Sequence, residues 1–345
     1  MTSANGWITW RPCCAWGFSA TTSPQKSGSS SSRSQQNWTP ARENLYVRPL
    51  RRENSLKIGI VGAENTHTAA IAKTLNVDGE VPGFQVTYVW GETDEFAKKA
   101  AEAGQIPNIV KNPEDMLGHV DAAIVDHRHG KYHLPAARPF VEAGLPVFID
   151  KPFCIDLAEG VEFVRYARSK GVPVTSHSAM STQKSTLELA EALKGIGRIR
   201  SIVTAGPVEI DSQYGGVYFY GIHQVALFHE LTKAKPASVS AVRTGADGIA
   251  VISFDDGSTG VVHCLKDYKA GFRVSVFGDA GALHSDLPRD ENIYLTGIKR
   301  FCGMFETGKE PVEPESYLLP VAILSAMQEA FDTGKTVKVA EIPKI

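Results

Sequence analysis

From Leu56 onward the chain alternates short apolar runs with helical segments of roughly 10 to 15 residues, and no other feature limits its possible folds as strongly. Residues 57–61 read as a buried strand, 66–76 as a helix with Ala70, Ile71 and Leu75 on one face, and 84–90 as a second strand. Helices are predicted over 94–104, 131–144 and 157–170, the last two stopped by Gly144 and Gly171, with strands over 121–125, 146–149 and 172–175. Strands joined by such helices need right-handed crossovers. Residues 55–178 are therefore expected to form a doubly wound parallel sheet of the Rossmann type.

The remainder has another texture. After a helix near 184–194, residues 198–204, 238–243, 248–254, 259–265 and 273–277 are rich in β-formers, and Asp255-Asp-Gly-Ser258 between two of them signals a hairpin. This predicts an α/β domain over 179–345 with a mostly antiparallel open sheet, its C-terminal helix returning to the first domain. An open sheet face of that size is expected to be covered by a homodimer or homotetramer.

Charge and composition narrow the function. A formal net charge of −2 leaves no basic excess for nucleic acid, and no apolar run approaches the roughly 18 residues that span a bilayer. Residues 1–54 stand apart, with seven basic groups against Glu43 and Glu53 and the run Ser-Gly-Ser-Ser-Ser-Ser at 27–32. They are expected to be a disordered extension, with an organelle transit peptide as the alternative to a plainly cytoplasmic protein. Five cysteines, an odd number without CxxC spacing, read as free thiols.

Two places carry chemistry. The turn Gly62-Ala-Glu-Asn-Thr-His67 stands where a dinucleotide fold puts Gly-x-Gly-x-x-Gly, but Glu64 and His67 replace the second and third glycines. Glu64 would place a carboxylate near a phosphate unless its side chain turns away; a turn binding no nucleotide is the alternative. Asp150-Lys-Pro152 follows a buried strand at the end where open α/β sheets bind ligands, and Lys151 there can hydrogen-bond a hydroxyl and take part in proton transfer, or be a surface turn. His127 and His129, two apart on an extended segment, share a face as metal ligands could, but no carboxylate or cysteine completes a recognised spacing, so no metal is expected.

Five ordered motifs resemble the Gfo/Idh/MocA family of NAD(P)-dependent oxidoreductases over about residues 56–341. They are Lys57-Ile-Gly-Ile-Val-Gly62, Ala143-Gly-Leu-Pro-Val-Phe-Ile-Asp-Lys-Pro152, Gly221-Ile-His223, Phe277-Gly-Asp-Ala-Gly-Ala-Leu283 and a closing helix with Thr333-Gly-Lys-Thr-Val337. The resemblance implies hydride transfer between NAD and a hydroxyl of a sugar, polyol or cyclitol, with Lys151 and His223 at the reacting carbon. It implies cofactor contacts from Gly62, Glu64, Asn65, Thr66, Glu92, Asp126, His129, Asp150 and Lys151, and substrate contacts from His133, His177 and Tyr220.

Departures from the family pattern are Phe219 and Ala226, where carboxylates usually flank the histidine, which leaves Tyr220 or His177 to orient His223. The acidic cluster Glu92, Asp94 and Glu95 would repel a 2′-phosphate, which favours NAD over NADP. Two other readings share the fold: the family's NAD-dependent glycoside cleavage, and a non-catalytic sensor that binds ligand or nucleotide without turnover.

Overall fold

The computed structural model describes residues 55–345, so the expectations for residues 1–54, Cys13 and Cys14 among them, lie outside it. The run of Ile and Val after Leu56 becomes β1 (Leu56–Val61), with five of its six residues buried as a central parallel strand requires. It is followed by β2 (Phe84–Trp90), the two-residue β3 (Asn108–Ile109), β4 (Ala122–Val125), β5 (Val147–Ile149) and β6 (Val174–Thr175). All pair in parallel in the order β3-β2-β1-β4-β5-β6, the doubly wound sheet expected. The order reverses between β1 and β4, which opens a crevice at their carboxyl ends, where Gly62 and Asp126 follow.

Gly62 is needed for that crevice to exist. It sits at φ +108, and a Cβ added there would lie 2.6 Å from the Asp126 carbonyl carbon and 2.7 Å from the His127 nitrogen, so the turn after β1 passes directly over the end of β4. Gly62→Ala is expected to cost at least about 2 kcal/mol, from positive-φ strain plus a clash with backbone that cannot move aside. Thermal unfolding checks this; an unchanged melting temperature would contradict the packing described.

The second sheet comprises β7 (Ile199–Pro207), β8 (Pro236–Thr244), β9 (Asp247–Phe254), β10 (Thr259–Leu265), β11 (Arg273–Gly278), β12 (Gly281–Ser285) and β13 (Val337–Lys338). Its order is β12-β11-β7-β10-β9-β8-β13, antiparallel except for β7 against β10. The hairpin signal lies at the β9–β10 turn, with Gly257 at φ +82. One face packs on the helices Tyr218–Leu231 and Glu315–Thr333, where Gly260 makes room for Phe228 and Gly248 for Phe331. The other face leaves Val242, Ile249 and Phe277 exposed. Ten of the fourteen residues of Tyr218–Leu231 are buried, because the helix is enclosed on nearly every side.

The helix Leu295–Thr307 has no counterpart among the elements expected from the sequence. Its Ile298, Phe301, Cys302, Met304 and Phe305 enter the same core as Ile58, Ile60 and Val86 of the first sheet, and Phe301 stacks on Phe148 at 4.5 Å. Cys154, Cys264 and Cys302 are free, buried thiols whose pKa values burial pushes up, so they behave as small hydrophobes. No described helix is long and apolar enough to cross a membrane.

Candidate active site and cofactor cleft

The turn after β1 is held by a carboxylate. The backbone amides of Ala63 and Glu64 both donate to Glu92 Oε2 at 2.9 Å, while Glu92 Oε1 is buried and has no hydrogen-bond partner among the described residues. A buried, unpaired carboxylate oxygen is costly. At the end of β2, beside the fingerprint turn, it is an acceptor suited to a ribose hydroxyl. Glu64 does not point its charge at the turn's amides: its Oε1 accepts from the Tyr214 hydroxyl at 2.7 Å and lies 3.9 Å from Arg128 Nη1. Arg128 in turn lies over the Tyr214 ring, 4.3 Å from its centroid.

Beneath this turn lies an internal polar network. Asn65 Nδ2 donates to Asp126 at 2.8 Å and to Asp150 at 3.1 Å, His67 Nδ1 is 3.1 Å from both oxygens of Asp150, and the Thr68 hydroxyl donates to the Gly62 carbonyl at 2.7 Å with its oxygen also in hydrogen-bond contact with the Asp126 carboxyl. Burial first, and then the Asp150 charge, push the Asp126 carboxyl well above the carboxylate range, so it holds a proton. Burial works the same way on Asp150, but His67 and Lys151 outweigh it and hold that carboxyl far below its usual value. His67, Asp126 and Asp150 are grouped closely enough to hold a metal ion. Their atoms are already engaged by Asn65, Thr68 and Lys151, whose ammonium lies 3.7 Å from Asp150, so the arrangement works as a self-contained network.

Lys151, directly after β5, is buried, with its ammonium 5.6 Å from the centroid of Phe219. Phe219 lies one turn before His223 on the helix Tyr218–Leu231. His223 is buried too; burial first, and the Lys151 charge second, drive its pKa well below the ordinary imidazole value. The ring is therefore neutral at pH 7 and can accept a proton. Its Nδ1 is 2.8 Å from Ser178 Oγ, and Tyr220 and Phe272 meet it edge-on, each at 5.6 Å. Ser178 thus occupies the orienting position for which Tyr220 and His177 were the sequence candidates. Lys151, Ser178 and Ile222 line a cavity of about 420 Å³ that runs along this helix.

Residues 56–178 match the model of an oxidoreductase family, GFO_IDH_MocA, with an NAD-binding Rossmann fold. This segment belongs to the Gfo/Idh/MocA oxidoreductase family. No curated protein matches the chain in sequence. Solved structures extend the likeness in fold beyond the matched segment. Lactobacillus casei scyllo-inositol dehydrogenase, solved with NAD(H) and scyllo-inositol, has a TM-score of 0.73 at 16% identity, covering 84% of this chain and 100% of its own. Lactobacillus plantarum myo-inositol 2-dehydrogenase has a TM-score of 0.74 at 17% identity, covering 83% and 100%.

Set against the Gfo/Idh/MocA pattern, the expected site residues divide. Gly62, Glu64 and Glu92 come together at the turn after β1, where Glu92 accepts from the Ala63 and Glu64 amides, and Thr66 is exposed at the start of its helix. Asn65, Asp126 and Asp150, expected to touch the cofactor, also engage one another, because burial of two carboxyl groups demands internal partners. His129 is at the rim, packed against Gly215 and edge-on to Tyr132. His133, expected to meet substrate, is fully enclosed, its ring nitrogens 2.7 Å from the Pro152 carbonyl and 2.8 Å from that of His127. It braces two loops and does not reach the cavity. His177 lines the cavity, lodged against Gly297, where a Cβ would come within 2.1 Å of its Nε2. Tyr220 is partly exposed beside His223. Ser178, His67 and Tyr214 were missed; of these only His67 had a sequence signal, as a histidine in a glycine's place.

Proposed function

We propose that this protein is an NAD-dependent oxidoreductase acting on a hydroxyl of a sugar, polyol or cyclitol, with Lys151 and His223 at the reacting carbon. The observation that carries the reading is a buried Lys151 that lines the cavity after β5, with a buried, neutral His223 whose pKa the Lys151 charge lowers and whose Nδ1 partner Ser178 lines the same cavity. The residues present fit the dinucleotide: Gly62 opens the turn, Glu92 offers its unpaired Oε1 to a ribose hydroxyl, and the same carboxylate repels a 2′-phosphate, which favours NAD over NADP. NAD bound there supplies the hydride acceptor.

Lys151 donates a hydrogen bond to the reacting hydroxyl and stabilises the negative charge that develops on its oxygen. His223 removes the hydroxyl proton as the carbon gives up its hydride, so alcohol and NAD become carbonyl, NADH and one proton. Ser178 bonded at Nδ1 leaves Nε2 as the nitrogen available for that proton. We place self-association on the outer face of the second sheet, where Val242, Ile249 and Phe277 are exposed.

Titration with NADH, followed by fluorescence, is expected to saturate at micromolar cofactor, and the loaded protein is expected to reduce NAD with myo-inositol or a related polyol. Failure to saturate below millimolar cofactor would overturn the reading.

A further inference from the structure

The cavity beside Lys151 carries more positive charge than recognition of a neutral sugar calls for. Among the described residues three cationic side chains line it: Lys151 directly after β5, Arg300 from the helix Leu295–Thr307, and Lys233 just beyond the helix Tyr218–Leu231. Glu230 is the one carboxylate among the described lining residues, so that lining is formally +2. His177 adds nothing to this: burial first, and the nearby Arg300 charge second, lower its pKa to about 4 and keep it neutral near pH 7.

Arg300 is the informative member. Arg168, Arg200, Arg243 and Arg273 each hold a carboxylate in an ion pair, yet the partly buried residue Arg300 has neither an ion pair nor a hydrogen bond among the described residues. A guanidinium left unpaired in a partly closed cavity loses hydration without gaining a partner, and its planar fork suits two oxygens of one anion. Around it the hydroxyl-bearing Ser176, Ser178 and Ser181 supply the polar contacts a polyol would use.

We infer that the ligand of this cavity is an anionic polyol, either a sugar acid or a sugar phosphate. Its carboxylate or phosphate sits on Arg300 and Lys233, and its hydroxyl chain reaches Lys151. This rests on the reading of Lys151 given above and narrows the substrate class.

Calorimetric titration of the NADH-loaded protein with myo-inositol, D-gluconate and D-glucose 6-phosphate tests it. At least one of the two anions is expected to bind roughly tenfold tighter than myo-inositol, with an affinity that falls as salt is raised. Gluconate and glucose 6-phosphate separate the carboxylate from the phosphate source. Arg300→Gln is expected to remove most of the preference and Arg300→Lys to restore part of it, with NADH affinity as the folding control. Lys233→Gln, at an exposed position, gives a smaller loss in the same direction. Equal affinity for inositol and both anions, binding by none of the three, or a preference that survives Arg300→Gln would overturn the inference. If NADH itself fails to bind, the functional reading falls, and the same titrations on unloaded protein still decide the anion preference.

Discussion

His223→Ala and Lys151→Ala are each expected to lower turnover roughly 10²- to 10⁴-fold while leaving the fold intact. The histidine variant removes the group that accepts the proton. The lysine variant removes a hydrogen bond and a positive charge from the oxygen on which negative charge develops. Both act on one hydroxyl, so the double variant should be little worse than either single one. Ser178→Ala provides a graded companion: it leaves the base in place but frees Nδ1, and should lower kcat more than it raises KM. Steady-state rates with NAD and a responsive polyol measure all four. Activity within tenfold of native in His223→Ala would mean that another group takes the proton.

Between pH 7 and pH 5 the protein is expected to lose several kcal/mol of stability, because its fold encloses neutral imidazoles. Burial lowers His127 and His177 from 6.5 to about 4, and also lowers His133 and His223. In the window from 6.5 down to about 4 the unfolded chain binds protons at these positions that the folded chain refuses. The unfolded state therefore gains, and stability falls as pH falls. For His127 and His177 the full cost is about 3 kcal/mol each by the bottom of that window.

Asp126 works the other way. It keeps its proton when folded, so acid narrows its disadvantage, but it is one group against four. Asp150, held low, loses its contribution only below the window. Urea unfolding at pH 7 and pH 5 measures the balance, and a stability that stays level or rises on acidification would show that these rings are not held neutral.

The elements legible in the sequence are those that depend on neighbours in the chain. The helix over 94–104 forms over Asp94–Gly104, with Thr93 capping the Phe96 amide and acidic residues in its first turn, all of it local. β2 ends at Trp90, as its alternation predicts, and Lys151 stands after a buried strand because an apolar run followed by Asp-Lys-Pro can hardly end otherwise. The helix over 66–76 fared less well. It is α-helical only to Ala72 and then widens into a π turn over Lys73–Val77, where Asn76 exchanges hydrogen bonds with the backbone of Val86. That partner belongs to another strand.

The residues alone thus determined the alternation of strands and helices, the parallel sheet, the later antiparallel one, and the places where Gly62, Lys151 and His223 stand along the chain. Only the tertiary structure decided what those residues touch. His67 meets Asp150 across 83 positions and Ser178 meets His223 across 45, and Arg300 reaches the cavity on a helix whose apolar face makes sense only against the first sheet. Periodicity records which face of an element is buried, at steps of 2 or 3.6 residues. It carries no record of which distant element will cover that face, because crossovers and packing between layers set that pairing.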